Sequence, residues 1–362
     1  VSGFVTTNAK YMNEMFSNCG NLLVLDLKNF QTSEVIDMSN MFFGCQNLTY
    51  LNVSSFDTRK VENMAGMFQN CFQVTSLDVS KFETPSATNM ARMFMSLEKV
   101  TELNVAKFNT ENVDDMYQMF AYCRSVTSLD LSRFSTKSCT DISEMFMHCE
   151  SIKYISVSSF ETGSIGDVNK LFDGCYELQS ITGLEQFTSE NVQDISYMFR
   201  DCRKLGSITF GPKFTAEEAT NADEVFSGCS EIKTLDLSNF NTRFVQSMYG
   251  MFYGCSKLKE IKINPATFIT KDITTMNDMF WGCNELTSFD FSGFDTSKVV
   301  GMDRMFLSCK ALTSLDLSKF TSEKLTTMIQ TFYDCQSLKT ITFGEKFTAS
   351  RVEYMDQLFA NN

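Results

Sequence analysis

The residues of this 362-residue chain that could do chemistry are thirteen cysteines, one histidine (His148), one tryptophan (Trp281) and a recurring set of aspartates and asparagines. One histidine cannot supply a His-based metal site or two proton-transfer imidazoles, so thiol and carboxylate chemistry are what remain. Twelve cysteines stand three residues after a phenylalanine: Cys19, Cys45, Cys71, Cys123, Cys149, Cys175, Cys202, Cys229, Cys255, Cys283, Cys309 and Cys335. The missing rung is Leu97, and leucine replaces a buried free thiol but not half of a disulfide. Neighbouring thiols about 4.8 Å apart by strand spacing also exceed the roughly 3.8 Å Cβ separation of a bridge. With no CxxC pair in the chain, reduced and packed cysteines are expected, not bridges or metal ligands. His148 occupies the place of an exposed helix C-cap, and Trp281 falls on the outer surface. No glycine-rich phosphate loop, HExxH or GxSxG occurs, and no catalytic, cofactor or metal site is read from the sequence.

The carboxylates form a column. Asp26, Asn52, Asp78, Asn104, Asp130, Asp236, Asp290 and Asp316 each sit between two apolar residues, with Ser156, Thr182, Thr209, Lys262 and Thr342 at the same place in other copies. Their upstream neighbours are mostly Thr and Ser, among them Thr49, Thr75, Ser76, Thr101, Thr127, Ser128, Ser288 and Ser314. The plain reading is a solvated face that keeps a sheet soluble. The functional reading is a recognition surface for a basic protein segment or a glycan, or for Ca²⁺ bridging successive Asp and Asn oxygens. A second polar column (Thr32, Thr58, Thr84, Thr110, Thr136, Thr162, Thr242, Thr270, Thr296) is expected to cap the turn that follows each threonine.

What positions these columns is a repeat. An anchor phenylalanine recurs at Phe16, Phe42, Phe68, Phe94, Phe120, Phe146, Phe172, Phe199, Phe226, Phe252, Phe280, Phe306, Phe332 and Phe359, at intervals of 26 to 28 residues. In Leu286–Ala311 the unit opens with Leu286, Phe289 and Phe291, an LxxLxL strand signal, and reaches a corner phenylalanine, Phe294. Met302, Met305, Phe306 and Cys309 then fall at i, i+3, i+4 and i+7, the spacing of a short helix. Asp37, Asn63, Asn89, Asp115, Asp141, Asp167, Asp194 and Asn221 precede that segment as helix N-caps. The longer copies insert only at the corner, at 181–187, 208–214, 261–268 and 341–347. The expected fold is an α/β solenoid, a leucine-rich-repeat-like right-handed coil of about fourteen units with one short parallel strand and one short helix each. Repetition also explains the 35 Phe and 22 Met, most of which are copies of a few core positions.

The balance of 31 basic against 44 acidic side chains gives −13, which repels phosphate backbones and excludes direct nucleic-acid binding without a basic patch. The units LTSLDLSKFTSEKLTTMIQTFYDCQS (312–337) and LTYLNVSSFDTRKVENMAGMFQNCFQ (48–73) resemble BspA-type leucine-rich repeats, the bacterial surface-protein subclass with a Met-Phe-x-x-Cys signature. The resemblance implies an extracellular or cell- or virion-surface setting and a non-enzymatic adhesion or interaction module binding a protein or glycan. The alternative is a structural spacer or assembly subunit with a passive strand face. Residues 1–362 read as one solenoid, part of a longer chain because both ends fall inside a repeat, with no segment long and apolar enough for membrane insertion.

Overall fold

The computed structural model describes residues 3–362; Val1 and Ser2, in the first partial repeat, lie outside the described residues. The chain forms two compact units, Val1–Leu184 and Glu185–Asn362, built from the same kind of coil. In the first, β1 (Val24–Asp26) pairs in parallel with β2 (Tyr50–Asn52), and β3 (Tyr154–Ser156) with β4 (Ser180–Thr182). In the second, β5 (Thr234–Leu237) pairs with β6 (Glu260–Ile263) and β7 (Ser314–Leu317) with β8 (Thr340–Phe343). Register follows the repeat, with Leu25 opposite Leu51, Asp26 opposite Asn52 and Leu315 opposite Ile341. Alternation along β5 and β7 buries the apolar residues and leaves the polar ones outside. One strand per repeat is therefore met only in pairs. Intervening coils such as Val74–Val79 keep the alternating burial without joining a ladder.

The Met-Phe-x-x-Cys segment is not a helix, which corrects the α/β expectation to a β-solenoid. Among the described residues the single helical element is a 3₁₀ turn, Leu184–Gln186, within the longer corner 181–187. In place of fourteen strand-and-helix units, the backbone bridges that run up the return segment close twelve coil-to-coil steps among the described residues, six in each unit.

The physical reason is where the amide hydrogens go. A helix uses its N–H groups internally, but here every second one leaves the coil. Met38, Asn40, Phe42 and Gly44 donate to the carbonyls of Asn63, Ala65, Met67 and Gln69 in the next coil at 2.8–2.9 Å. The alternate amides of Met41, Phe43 and Cys45 donate three residues back, to Met38, Asn40 and Phe42, at 3.1–3.2 Å. To do this the chain turns left-handed every fourth residue, as at Asn40 (φ 53°) and Gly44 (φ 70°). The same two places, two before and two after the anchor, are left-handed at all fourteen anchors, and twenty-one of those twenty-eight residues are not glycine. Each such residue costs roughly 1–2 kcal/mol relative to the right-handed form, so the bonds to neighbouring coils must over-determine it.

The expected N-caps keep their bond and lose their helix. Asp37, Asn63, Asn89, Asp115, Asp141, Asp167, Asp194 and Asn221 each accept the amide two residues on, at 2.7–3.0 Å. Where Ser247, Gly301 or Thr327 takes that place, the preceding coil supplies the acceptor. Asp223 Oδ1 takes the Tyr249 amide at 2.9 Å and the Ser247 hydroxyl. Asn277 Oδ1 takes the Asp303 amide at 2.8 Å, and Asp303 Oδ1 takes the Ile329 amide at 2.7 Å and the Thr327 hydroxyl.

Side chains repeat the same logic in the core. In the first unit the anchor rings from Phe16 to Phe172 stack with centroids 5.5–5.8 Å apart and planes within 10°. In the second, Phe199 to Phe359 stack at 5.2–5.9 Å. Offset stacking at such distances adds about 0.5–1.5 kcal/mol per pair beyond area burial. The threonine column bridges coils instead of capping its own turn. Thr110 Oγ1 donates to the Ser135 carbonyl at 2.7 Å and accepts the Ser135 amide at 2.8 Å, and Thr270 does the same with Asp295. These hydroxyls are buried, so the paired bonds answer groups that water cannot reach.

Candidate functional site

The thirteen cysteines are all free, and all but Cys19 are buried. Their role is a backbone bond. In both units the thiols donate to the carbonyl of the anchor phenylalanine one coil earlier, for example Cys71 to Phe42 and Cys309 to Phe280, with ten such contacts at 3.1–3.2 Å. Burial pushes the thiols of Cys123, Cys255 and Cys335 up to about 12 and that of Cys45 up to about 11, so they stay protonated and donate. A thiol is small enough for the core and polar enough to take the second lone pair of a carbonyl already bonded to its own coil.

His148 is half-buried, not exposed, and sits at a left-handed position, φ 56°. Its ring stacks on Tyr122 at 5.0 Å and meets the edge of Tyr176 at 5.9 Å. Trp281 lies partly exposed beside Tyr253 at 5.0 Å, under the Arg304 guanidinium at 5.5 Å, and Arg304 in turn grips Asp278 with two bonds of 2.7 and 2.9 Å. His148 Nδ1 lies 3.7 Å from Glu150 Oε1.

The carboxylate column lies where the sequence places it. Asp26, Asp78, Asn104, Asp130, Asp236, Asp290 and Asp316 are exposed, and Asn52 is half-buried. Each also closes the turn after its strand, where Oδ1 accepts the amide two residues on at 2.9–3.2 Å. In Asp26 the Lys28 amide, and in Asp78, Asp130, Asp236 and Asp316 first the serine hydroxyl two residues on, hold the carboxyl below its ordinary range. Asp26 further accepts from Asn52 Nδ2 at 2.9 Å and pairs with Lys28 Nζ at 3.2 Å. Among the described residues no group of three His, Cys, Asp or Glu side chains is placed to hold a metal ion.

On the same face the structure adds residues that the sequence pattern does not single out. Tyr50 and Tyr154 are 50% and 63% exposed, and Leu23 and Val24, in the coil next to Tyr50, are each 59% exposed. Val24 and Tyr50 are register partners in the β1–β2 pair. The signal was available: two places before the Asp/Asn position, where other copies carry Ser76, Glu102 or Ser128, these carry an aromatic or aliphatic side chain. A shallow depression of about 400 Å³ lies between them, lined by Glu102, Leu103, Asn104, Ala106, Thr127, Ser128 and Asp130.

Coil-on-coil bonding with a polar strand face defines a repeat scaffold. The chain belongs to the family described as "Mycoplasma protein of unknown function, DUF285", whose model matches residues 10–128, 73–183, 123–234, 169–267 and 259–362. Among curated proteins none matches the sequence. Similar solved structures include a leucine-rich cell surface protein of Faecalibacterium prausnitzii, 16% identical over 86% of this chain and 77% of that one, TM-score 0.42. A leucine-rich-repeat protein of Bacteroides ovatus is 18% identical over 92% and 76%, TM-score 0.40, and an internalin of Listeria monocytogenes 16% identical over 92% and 86%, TM-score 0.30. No helix among the described residues is long and apolar enough to cross a membrane.

Proposed function

We propose that this chain is a non-enzymatic interaction module, displayed at a cell or virion surface, which binds a protein or glycan partner through its strand face at Asp26, Asn52, Asp78, Asn104, Asp130, Asp236, Asp290 and Asp316. The observation that carries the reading is the contrast between the two sides of the coil. The return segment uses its amides, hydroxyls and thiols on its own neighbours, whereas the strand face presents exposed Ser, Thr, Asp and tyrosine side chains. Exposed tyrosine among small polar residues is the composition of protein recognition surfaces. The BspA-type resemblance supports a display role over chemistry.

The test places bulk on that face without touching the turn-closing aspartates. Ser76→Arg with Ser128→Arg, and separately Ser288→Arg with Ser314→Arg, alter exposed outward strand positions. Beads coated with each folded variant are scored for adhesion to epithelial cells and to a panel of matrix proteins and glycans. Loss of wild-type adhesion in either pair supports the reading. Full adhesion in both, with unchanged melting, shows the strand face to be passive and leaves the spacer or assembly role.

A further inference from the structure

Resting on the strand-face reading, we infer that the partner is a cationic polypeptide segment and that it seats on the first unit, between Tyr50 and Tyr154. The two tyrosines occupy the same strand position four coils apart, so at about 4.8 Å per coil they stand about 19 Å from each other. Between them the outward positions are short or acidic: Ser76, Glu102 and Ser128, with Asp78, Asn104 and Asp130 alongside. The depression there is lined by Glu102 and Asp130 and by no basic side chain. Lys107 and Arg133 line a separate corner groove with Glu83, Lys81 Nζ bonds the Ser54 carbonyl at 3.4 Å, and Lys28 pairs with Asp26. Lys153, exposed next to Tyr154, closes the acidic stretch at its far end.

This geometry matches one chemistry. Exposed tyrosines at both ends, with Val24 and Leu23 beside Tyr50, supply rigid apolar contact, and tyrosine faces also favour Lys and Arg side chains. Two carboxylates in the depression between them, which no basic side chain lines, favour one or two ammonium or guanidinium groups. An extended segment rises about 3.3 Å per residue, so roughly six residues bridge the tyrosines. The second unit offers no equivalent, because Lys262 interrupts its column between Asp236 and Asp290, and the exposed Lys233 and Lys259 lie on its strand coils.

The experiment uses the full chain and two labelled probes of about ten residues, alternating Lys-Thr and alternating Glu-Thr, with binding read by fluorescence anisotropy at low and at physiological salt. The Lys-Thr peptide binds and the Glu-Thr peptide does not. Glu102→Gln with Asp130→Asn weakens binding about fivefold, and the turn still closes, because Asn104 closes the same turn with an amide oxygen at 3.2 Å. Tyr50→Ala with Tyr154→Ala weakens it by a similar factor, and Asp290→Asn with Asp316→Asn leaves it unchanged. Equal binding of the two peptides, or no loss in the Glu102/Asp130 pair, overturns the inference. A loss confined to the Asp290/Asp316 pair overturns it while keeping the strand face as the site. No binding of either peptide to the wild-type chain removes the cationic partner, and the arginine-substituted variants then decide the strand face by themselves.

Discussion

Asp303 offers the sharpest test of how the coils hold together. Its Oδ1 closes a turn in the next coil, taking the Ile329 amide at 2.7 Å and the Thr327 hydroxyl, because Thr327 stands where other coils carry a turn-closing Asp or Asn. Asp303→Ala removes a bond from a charged acceptor to an amide, worth about 1.5–3 kcal/mol. The Thr327 hydroxyl is half-exposed and can turn to water, so about 2 kcal/mol is the expected loss. Thr327→Asp then restores the acceptor from within the coil, as Asp37 does for Ser39. In the wild-type background the same change sets two carboxylates on one amide and destabilises. Thr327→Asp is therefore expected to change sign between backgrounds, with a coupling of about 1–3 kcal/mol in the double-mutant cycle. Urea denaturation followed by far-ultraviolet circular dichroism gives the global effect, and hydrogen exchange of the Ile329 amide gives the local one. If Thr327→Asp has the same sign in both backgrounds, the donated acceptor is not what holds that turn.

Four further outcomes are expected. Of the thirteen thiols only Cys19 reacts with Ellman's reagent in the folded chain near neutral pH, and the rest titrate after denaturation; several fast thiols would contradict their burial. Phe146→Ala, which removes a ring stacked at 5.8 Å on Phe120 and 5.6 Å on Phe172, lowers stability by about 3–5 kcal/mol in chemical denaturation, and a loss below about 1 kcal/mol would refute its anchoring role. Thr110→Val strands the Ser135 amide and carbonyl and costs about 1–3 kcal/mol, whereas Thr127→Val, exposed on the strand face, stays within about 0.5 kcal/mol; equal effects would sink the bridging reading. The lowered pKa values of Asp57, Asp78, Asp130, Asp236 and Asp316 contribute stability above the unfolded carboxyl value, near pH 4, that is lost as pH falls through the folded values. Asp115 and Asp223, raised by burial, act oppositely but are fewer, so thermal melting falls as pH drops below about 4; a flat or rising profile would contradict this.

Much of the fold is legible from spacing alone. The anchor interval, the buried thiols and the outward Asp/Asn positions follow from a 26-residue period and strand alternation. The helix expectation fails because i, i+3, i+4, i+7 also describes a string of four-residue turns, each turning two residues inward. The discriminating signal lies in the residues two before and two after each anchor, where Asn, Gly, Asp, Ser, Gln, Glu, Lys, Arg, His and Tyr occur but never Val, Ile or Thr. Absence of β-branched side chains marks left-handed backbone, which a helix interior would not require. The lent carboxylates of Asp223 and Asp303 escape a sequence reading because patterns are read within one unit, and these act across two. Tyr50 and Tyr154 escape it because, with Val24, they break the polar rank at only three of its places, beside a charged column that repeats far more regularly.

The alternation of amide bonds has a consequence for how such genes change length. Every second donor in a return segment is answered one coil away, so an insertion of a few residues there would shift all later donors out of phase with their acceptors. An insertion of one complete coil preserves every pairing, and the corner alone tolerates odd residues, as 261–268 demonstrates. Length variants produced by unequal recombination should thus differ by whole multiples of the coil, and reach along the strand face becomes a property that selection can adjust in fixed increments.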